Sequence, residues 1–262
     1  MSTRNLDHDI ALAHRLADAA GAAILPHFRA GIDVENKAAS GFDPVTVADR
    51  AAETAMRSLI EAERPEDGIL GEEFPLKPSA NGWSWTLDPI DGTRGFIAGS
   101  PTWAVLIALT FEGQPVLGVI DQPHTGERFS GTRAEGRLLA AGREASLVTS
   151  TVDRLDRAIL ATTDPYLFEG ELYARFSRIR EAARLTRYGM DAYAYGLLAA
   201  GGVDLVIETG LGPHDIHALV PVVASAGGKI TNWAGEADFS TGQLIAAATP
   251  SLHAEAMALL SD

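Results

Sequence analysis

Hydrophobic residues in the first part of the chain recur at helical spacing in two segments. From Leu6 to Phe28 the apolar positions fall three or four residues apart, and they predict an amphipathic helix that Pro26 kinks or ends. The segment DPVTVADRAAETAMRSLIEAERP repeats this spacing and predicts a second helix. Between the two, a short strand is expected over 32–37, followed by a loop.

A different pattern occupies the stretch WSWTLDPIDGTRGF, from Trp83 to Phe96. Large apolar residues alternate with serine and threonine as far as Leu87, which is the period-two pattern of a half-buried strand. Pro89 has no N–H to donate to a neighbouring strand, so the strand is predicted to end near Asp88.

Two carboxylates, Asp88 and Asp91, precede Gly92 and Thr93 in this stretch. Gly92 has no Cβ, and a helix that begins at Thr93 would offer free N–H groups to a phosphate. Carboxylates ~4 Å apart repel by roughly 4 kcal/mol at an effective dielectric of 20. The stretch contains no lysine, so a divalent cation held by oxygen ligands and shared with the phosphate would relieve this repulsion. The alternative is an ordinary Asp-Gly turn that closes a strand.

The remaining pattern predicts an α/β protein in two halves. In 1–140, helices are followed by a mostly antiparallel sheet with strands near 103–109, 115–120 and 128–131, and 141–150 is expected to be a connector. In 141–262, strands alternate with helices, which indicates βαβ units and an open sheet covered by helices. The strands are predicted near 158–161, 185–188, 203–208, 230–233 and 244–248, and the helices near 169–183, 191–200, 216–226 and 252–260.

Composition narrows the classes of function. The 262 residues include no cysteine, which excludes disulfides and thiolate metal sites. The polar start MSTRNLDHDI is unlike a signal peptide and no long apolar run is present, so we expect a cytoplasmic protein without a membrane partner. A net charge of −14 argues against nucleic acid as a partner, whereas a phosphorylated substrate stays possible because bound metal ions reverse the local charge.

The motif DPIDGT, with WTL before it and an aromatic residue two positions after Arg94, resembles the signature of the inositol monophosphatase superfamily. These are lithium-sensitive, Mg²⁺-dependent phosphomonoesterases. The resemblance extends over nearly the whole chain. It implies a layered α–β–α–β–α fold, and commonly a homodimer.

The resemblance also implies a set of ligands for two or three Mg²⁺ ions. Glu72 stands in the family's GEE element, and Asp215 stands where the family has an aspartate before an apolar helix and a Gly-Gly pair. Without the resemblance, Glu72 would be part of a solvated turn and Asp215 a helix N-cap. The implied ligands are Glu72, Asp88, the carbonyl of Ile90, Asp91 and Asp215.

Two histidines flank Asp215. His214 replaces the tryptophan that inositol phosphatases have at this position. The three-residue spacing from His214 to His217 would allow a zinc site on a helix, but no third nitrogen or sulfur ligand is evident in the sequence nearby.

The implied mechanism is direct attack of a metal-activated water, without a covalent phosphoenzyme. Asp49 lies in a PVT-x-A-D element, and with Glu72 it would orient Thr93, which would position the water and help to deprotonate it. The N–H groups of Gly92 and Thr93 would hold the phosphate. Asp49 is also three residues after Thr46, the spacing of a capping box, so a purely structural role is the alternative.

Several segments look more like the histidinol-phosphate phosphatase branch, which acts in histidine biosynthesis, than like true inositol phosphatases. They are GTRGFI, GVIDQP and RYGMDAYAYGLLAAGGVDLVIE. The last segment contains Asp191, which could pair with the ammonium group of L-histidinol phosphate or could instead be a helix N-cap.

Other possibilities follow from the same residues. Glu208 is expected on the substrate side in either branch, and Arg94 could face substrate, solvent or a dimer mate. The alternative substrates are inositol monophosphate and a phosphoadenosine nucleotide. A non-catalytic binding protein on the same fold is the alternative of a different class.

Overall fold

Helices and sheets alternate through the molecule in five layers. The structure is a computed structural model that describes residues 4–31, 34–36 and 44–261. Its helices are α1 (Asp7–Ile24), α2 (Val47–Glu63), α3 (Thr93–Ala98), α4 (Glu171–Ala182), α5 (Tyr193–Ala199), α6 (Pro213–Ile216), α7 (Leu219–Ser225) and α8 (Pro250–Ser261). The strands are β1 (Val34–Asn36), β2 (Pro44–Thr46), β3 (Gly68–Gly71), β4 (Trp83–Asp91), β5 (Ala104–Phe111), β6 (Gln114–Gln122), β7 (Glu127–Thr132), β8 (Gly136–Ala140), β9 (Arg143–Ser146), β10 (Ile159–Thr162), β11 (Leu185–Tyr188), β12 (Leu205–Glu208), β13 (Lys229–Thr231) and β14 (Leu244–Ala247).

A seven-stranded sheet forms the first half, in the order β3-β4-β5-β6-β7-β8-β9. β3 and β4 are parallel and the other neighbours are antiparallel, as the sequence predicted. β5 is buried on both faces: Val105 and Ile107 pack with the helices α1 and α2, whereas Leu106 packs with α5 and α7. Helices therefore cover both faces of this sheet, which explains the continuous apolar run in β5.

A five-stranded mixed sheet forms the second half, in the order β11-β10-β12-β14-β13. β10 is parallel to both β11 and β12, and β14 is antiparallel to its neighbours. On β12, Val206 faces the layer with α5 and α7, and Ile207 faces the outer layer with α4 and α8. The resulting order of layers is α1/α2, the seven-stranded sheet, α5/α7, the five-stranded sheet and α4/α8, which is the layered α/β fold that was predicted.

The middle layer lies directly on the backbone of the first sheet. A Cβ on Gly118 would be 2.1 Å from the carbonyl oxygen of Ala218, and one on Gly131 would be 2.6 Å from the Cα of Val222. Any side chain at either glycine would therefore push α7 away from the sheet. This contact also places α6, which immediately precedes α7.

Three predicted boundaries were wrong. β4 continues past Asp88 to Asp91, because the pairing with β5 shifts its register between these residues and Pro89 needs no ladder partner there. The expected connector 141–150 contains the edge strand β9. The expected helix 216–226 is broken into α6 and α7, since Pro221 has no N–H to donate to the carbonyl of His217.

The other elements lie close to their predicted positions. α1 ends at Ile24, before Pro26, and β1 covers the part of the predicted strand 32–37 that the structure describes. Residues 32, 33 and 37 and the predicted loop that follows lie outside the described residues. No helix in the described part of the chain is long and apolar enough to cross a membrane.

We expect one buried histidine to make the fold sensitive to acid. His253 is 2% exposed, its Nε2 lies 2.8 Å from Thr231 Oγ1, and burial lowers its pKa to about 4. In the unfolded chain the imidazole takes up its proton near pH 6.5. Between these pH values the unfolded state binds a proton that the folded state does not, so stability falls as pH falls, by up to about 1.4 kcal/mol per pH unit.

Denaturant unfolding of wild type and His253→Gln from pH 7 to pH 4.5 measures this contribution. The free energy of unfolding should decrease less steeply in the variant, whereas His8→Gln, at an exposed position, should keep the wild-type slope. Equal slopes for wild type and His253→Gln would contradict the assignment.

Candidate active site

Three carboxylates meet where the two halves of the molecule adjoin. Asp88 and Asp91 come from the end of β4, and Asp215 comes from α6. One oxygen atom from each lies within 4.8 Å of one oxygen atom from each of the others. Residues distant in the sequence are therefore brought together as the motif predicted, although their role as ligands remains a prediction.

A backbone N–H group anchors each of these carboxylates. Two of the bonds are local to a turn, and the third joins the two halves of the chain. The donors and acceptors are Ile90 N to Asp88 Oδ1 (3.1 Å), Ala192 N to Asp91 Oδ2 (2.6 Å) and Gly212 N to Asp215 Oδ2 (2.6 Å). These bonds fix the three side chains before any cation binds.

The carboxylates shift one another's titration. Burial raises the pKa of Asp88 well above its usual range, and the negative charges of Glu72, Asp91 and Asp215 raise it further. Burial likewise raises the pKa of Asp91 and of Asp215. Such a cluster of buried oxygen donors fits a hard divalent cation such as Mg²⁺, which would offset both the desolvation and the repulsion.

The turn that carries Glu72 rests on a buried ion pair. A Cβ on Gly71 would lie 1.9 Å from Glu53 Oε1, so any other residue there would displace the Glu53 carboxylate. Glu53 Oε2 accepts from the N–H of Glu73 at 2.8 Å, and Arg57 Nε donates to Glu53 Oε1 at 2.7 Å. This ion pair holds the turn in place, and the Glu72 charge is close enough to raise the pKa of Asp88. This ion pair was not predicted from the sequence, although the i,i+4 spacing of Glu53 and Arg57 was a signal.

Asp49 has the capping role that was considered as the alternative. Its Oδ2 accepts from Thr46 N at 2.8 Å and from Thr46 Oγ1 at 2.6 Å, which completes a capping box at the start of α2. Burial raises the pKa of Asp49 to about 6, and the charges of Glu73 and Glu72 add to this shift. Asp49 therefore also lies near the acidic cluster, and its further role in catalysis remains a prediction.

The turn after β4 has the backbone geometry that was expected of it. Gly92 adopts φ 79°, in the left-handed region, and α3 begins at Thr93. Thr93 Oγ1 donates to the carbonyl oxygen of Ile90 at 3.0 Å. The predicted phosphate-binding N–H groups and the predicted carbonyl ligand are thus parts of one turn.

A small pocket of about 20 Å³ opens beside the carboxylates. Asp191 lies in it with a strained backbone (φ 46°), and its side chain packs against Gly92, where a Cβ would be 3.0 Å from Asp191 Cγ. The N-cap of α5 is Ala192, so Asp191 is not the helix cap considered earlier. The pocket is lined by Asp91, Thr163, Asp191, Ala192, Tyr195, Glu208, Leu211, Asp215 and Leu219.

Charges around Asp191 act in opposite directions. Burial is the main cause that raises its pKa to about 6; the guanidinium of Arg94 opposes this shift, and the charge of Asp215 adds to it. Arg94 is exposed, and its charge is close enough to Asp191 to act on the pKa of that carboxyl group. The sequence did not decide whether Arg94 faces substrate, solvent or a dimer mate.

Glu208 reaches the same pocket from the end of β12. Its Oε1 accepts from Thr163 N at 2.7 Å and from Thr163 Oγ1 at 2.9 Å, and its Oε2 accepts from Thr162 Oγ1 at 3.3 Å. Burial raises the pKa of Glu208 to about 8 despite these donors. The predicted substrate-side acids, Asp191 and Glu208, therefore share one pocket with Asp91 and Asp215.

Tyr195 is a pocket residue to which the sequence analysis assigned no role. It is 1% exposed, and its hydroxyl has no hydrogen-bond partner among the residues that the structure describes. The nearby Tyr193 points elsewhere, since its hydroxyl donates to Glu127 Oε2 at 2.5 Å. Both tyrosines follow Asp191 in the sequence, and their spacing does not show which of them faces the pocket.

The two histidines near Asp215 have different neighbours. His214 Nε2 lies 3.7 Å from Asp215 Oδ1, at the rim of the site. His217 Nδ1 instead lies 3.0 Å from Thr86 Oγ1 on β4.

The chain matches the inositol monophosphatase family over residues 5–262, which is nearly its whole length. The chain belongs to the inositol monophosphatase family. It is accordingly a phosphomonoesterase, and the alternative of a non-catalytic binding protein is set aside.

Individual family members are similar over most of this chain. The bifunctional phosphatase IMPL2, chloroplastic, of Arabidopsis thaliana is 44% identical over 90% of this chain and 67% of its own length. A histidinol-phosphatase of Chlorobaculum parvum is 34% identical over 97% of both chains. The solved structure of an inositol monophosphatase from Zymomonas mobilis superposes with a TM-score of 0.87 at 44% identity, covering 99% of this chain and 100% of that one.

The repulsion in the cluster predicts an unusual effect of Asp88→Asn. In a chelator, the variant should melt several degrees higher than wild type, because it loses a buried charge that the folded state tolerates poorly. The pKa of Asp88 is raised in the folded state, so ionisation of this group destabilises the fold. This loss of stability begins as pH rises above the pKa of the unfolded chain, near 3.9. Added divalent cation should raise the melting temperature of wild type more than that of the variant.

Asp67→Asn provides a matched control in thermal melts with and without cation. Asp67 is as deeply buried, but it accepts hydrogen bonds from Arg4, Asn81 and Trp85. This substitution should lower the melting temperature under both conditions. If Asp88→Asn behaves in the same way as Asp67→Asn, the carboxylate cluster is not a cation site.

Proposed function

We propose that the chain is a Mg²⁺-dependent phosphatase that hydrolyses L-histidinol phosphate to L-histidinol and phosphate, a step of histidine biosynthesis. The observation that carries the substrate assignment is the position of Asp191, a largely buried carboxylate in the same pocket as Asp91, Asp215 and Glu208. An amine-bearing substrate supplies a cation to this acidic pocket, which a polyol phosphate does not.

The acidic cluster would hold the metal ions, two or three per site. The proposed ligands are Glu72, Asp88, the Ile90 carbonyl, Asp91 and Asp215. Bound Mg²⁺ would neutralise charge on the phosphate oxygens and lower the pKa of a water that attacks phosphorus directly. The support for this assignment is the separation of the three aspartates and the oxygen-only donor set.

Residues of the chain would orient the attacking water and the phosphate. Thr93, with Asp49 and Glu72, would position the water and accept its proton. The capping box uses Oδ2 of Asp49 for both of its bonds, so Oδ1 is not part of the capping box. The N–H groups of Gly92 and Thr93 at the start of α3 would hold the phosphate, and no covalent phosphoenzyme forms.

The similar proteins support more than one phosphate ester as the substrate. The Chlorobaculum parvum protein is a histidinol-phosphatase, whereas the Zymomonas mobilis structure, at higher identity, is of an inositol monophosphatase. Inositol monophosphate is therefore the second candidate substrate, and a phosphoadenosine nucleotide is a third. We favour histidinol phosphate because of the charge at Asp191.

We further propose that the enzyme is a homodimer built from subunits with two halves, 1–140 and 141–262. Large apolar side chains are exposed on the edge strand β11, on α4 and on the turn before α4. They are Tyr166, Leu167, Tyr173, Leu185 and Tyr188. Such a group at an open sheet edge supports a second copy as its partner.

Asp49→Asn separates catalysis from capping. Asparagine can still accept both hydrogen bonds from Thr46, so the melting temperature should change little while kcat falls by about a hundredfold or more. Thr93→Ala should lower kcat similarly, with KM changed by less than about threefold. Steady-state kinetics at saturating Mg²⁺ measure both.

Thr46→Val is the matched control, because it removes the cap hydroxyl but keeps the Asp49 charge. It should lower the melting temperature by a few degrees and leave most of kcat. Should Asp49→Asn retain full kcat, Asp49 is a cap only.

Substrate preference tests the proposed function directly. L-histidinol phosphate should exceed inositol 1-phosphate in kcat/KM by about one to two decades, since a charge-assisted hydrogen bond contributes roughly 1.5–3 kcal/mol. Asp191→Asn should remove much of this difference by impairing only the amine substrate. Asparagine tolerates the left-handed backbone at this position, so the substitution changes the charge with little added strain.

An N-acetylated histidinol phosphate is the matched substrate control, because it keeps the imidazole and the phosphate but has no ammonium. It should be hydrolysed equally by wild type and Asp191→Asn. If inositol 1-phosphate is the better substrate, or if Asp191→Asn impairs all esters equally, the histidinol assignment fails while the phosphatase assignment stands.

A further inference from the structure

We propose that the hydrogen bond between Thr86 and His217 is a tether that sets the separation of Asp88 and Asp215, and that it thereby tunes cation affinity. Thr86 Oγ1 and His217 Nδ1 are 3.0 Å apart. This inference rests on the metal site of the proposed function. Neither residue is a proposed ligand or lines the pocket that contains Asp191, so both are positioning residues.

The two partners lie beside the two carboxylates in the sequence. Thr86 precedes Asp88 by two positions on β4, and alternate residues of a strand share a face. His217 follows Asp215 by two positions, at the C-cap of α6. The hydrogen bond therefore joins the strand that carries one carboxylate to the helical turn that carries the other.

Burial gives this bond more weight than a surface hydrogen bond. Thr86 is 2% exposed, between the apolar neighbours Trp85 and Leu87 of the same strand. A buried hydroxyl costs free energy unless it has a hydrogen-bond partner, so Thr86 would destabilise the fold if His217 did not pair with its hydroxyl. The tether is thus a specific polar pair at the contact between β4 and α6, beside the carboxylates that the same two elements carry.

The local bonds of the carboxylates do not replace the tether. The bond from Gly212 N fixes Asp215 relative to its own turn, and the bond from Ile90 N fixes Asp88 relative to the end of β4. Neither controls the distance between the two elements. When both carboxylates are ionised and no cation is present, their repulsion would push α6 away from β4, and the tether would oppose this movement.

Calorimetric titration of MgCl₂ into wild type and Thr86→Val tests the inference without relying on turnover. Valine keeps the size and branching of threonine and removes the hydroxyl. The Kd for Mg²⁺ should rise about three- to tenfold, as expected for loss of one buried hydrogen bond. Thr86→Ser should restore the affinity, and activity lost in Thr86→Val at low Mg²⁺ should return as Mg²⁺ is raised.

A double-mutant cycle with His217→Leu measures whether the two residues act as one unit. If they do, the double variant binds Mg²⁺ with about the same Kd as whichever of Thr86→Val and His217→Leu binds it more weakly. Thr110→Val is the matched control, because Thr110 is a buried threonine on β5 whose hydroxyl donates to the Ser84 carbonyl at 3.1 Å, away from the carboxylates. It should lower stability and leave the Kd unchanged.

The outcomes separate this inference from the proposed function. Wild-type affinity in Thr86→Val, or strictly additive effects in the cycle, would overturn the tether and leave the metal site in place. A wild-type protein that takes up no Mg²⁺ would overturn the metal site and the tether together.

Discussion

Electrostatic repulsion among three closely spaced carboxylates, one buried and two partly buried, governs how this structure is built. Asp88, Asp91 and Asp215 are held within 4.8 Å of one another, where burial and mutual charge raise the pKa of each. Such an arrangement is costly for an isolated fold. It persists because each carboxylate accepts a backbone N–H and because the packing of two sheets fixes the elements that carry them. The cost would become useful in the proposed function, since the same charges would favour binding of a cation.

The layered architecture brings the elements that carry the three carboxylates together. The middle helical layer rests on the first sheet at Gly118 and Gly131, which brings the helical turn with Asp215 to the end of β4. The start of α5 contributes as well, because the N–H of Ala192 binds Asp91. Each half of the chain is therefore incomplete as a site, and the second half orients a carboxylate that belongs to the first.

Acidic groups extend from the cluster into the adjoining pocket, and this sets the electrostatic demand on a substrate. Asp191 and Glu208 add two further carboxyl groups whose pKa values are raised by burial, to about 6 and about 8. In the proposed function, a phosphate ester would bring its anionic group to the proposed metal ligands and a compatible group to this pocket. An ammonium group meets that requirement, which is the physical basis for preferring an amine-bearing ester over a polyol phosphate.

Elements whose causes are local could be predicted from the sequence. The alternation from Trp83 to Leu87, the glycine before Thr93 and the Thr46–Asp49 spacing predicted β4, the start of α3 and the capping box, because strand period, backbone freedom and capping act over a few residues. The motif also brought the distant Asp215 into the candidate site, but only through the resemblance to a family. The extension of β4 through Pro89, the break before α7, the Glu53–Arg57 ion pair beside Gly71 and the Thr86–His217 bond were decided by tertiary structure. Each depends on which backbone or side chain lies opposite, and one-dimensional spacing does not contain that information.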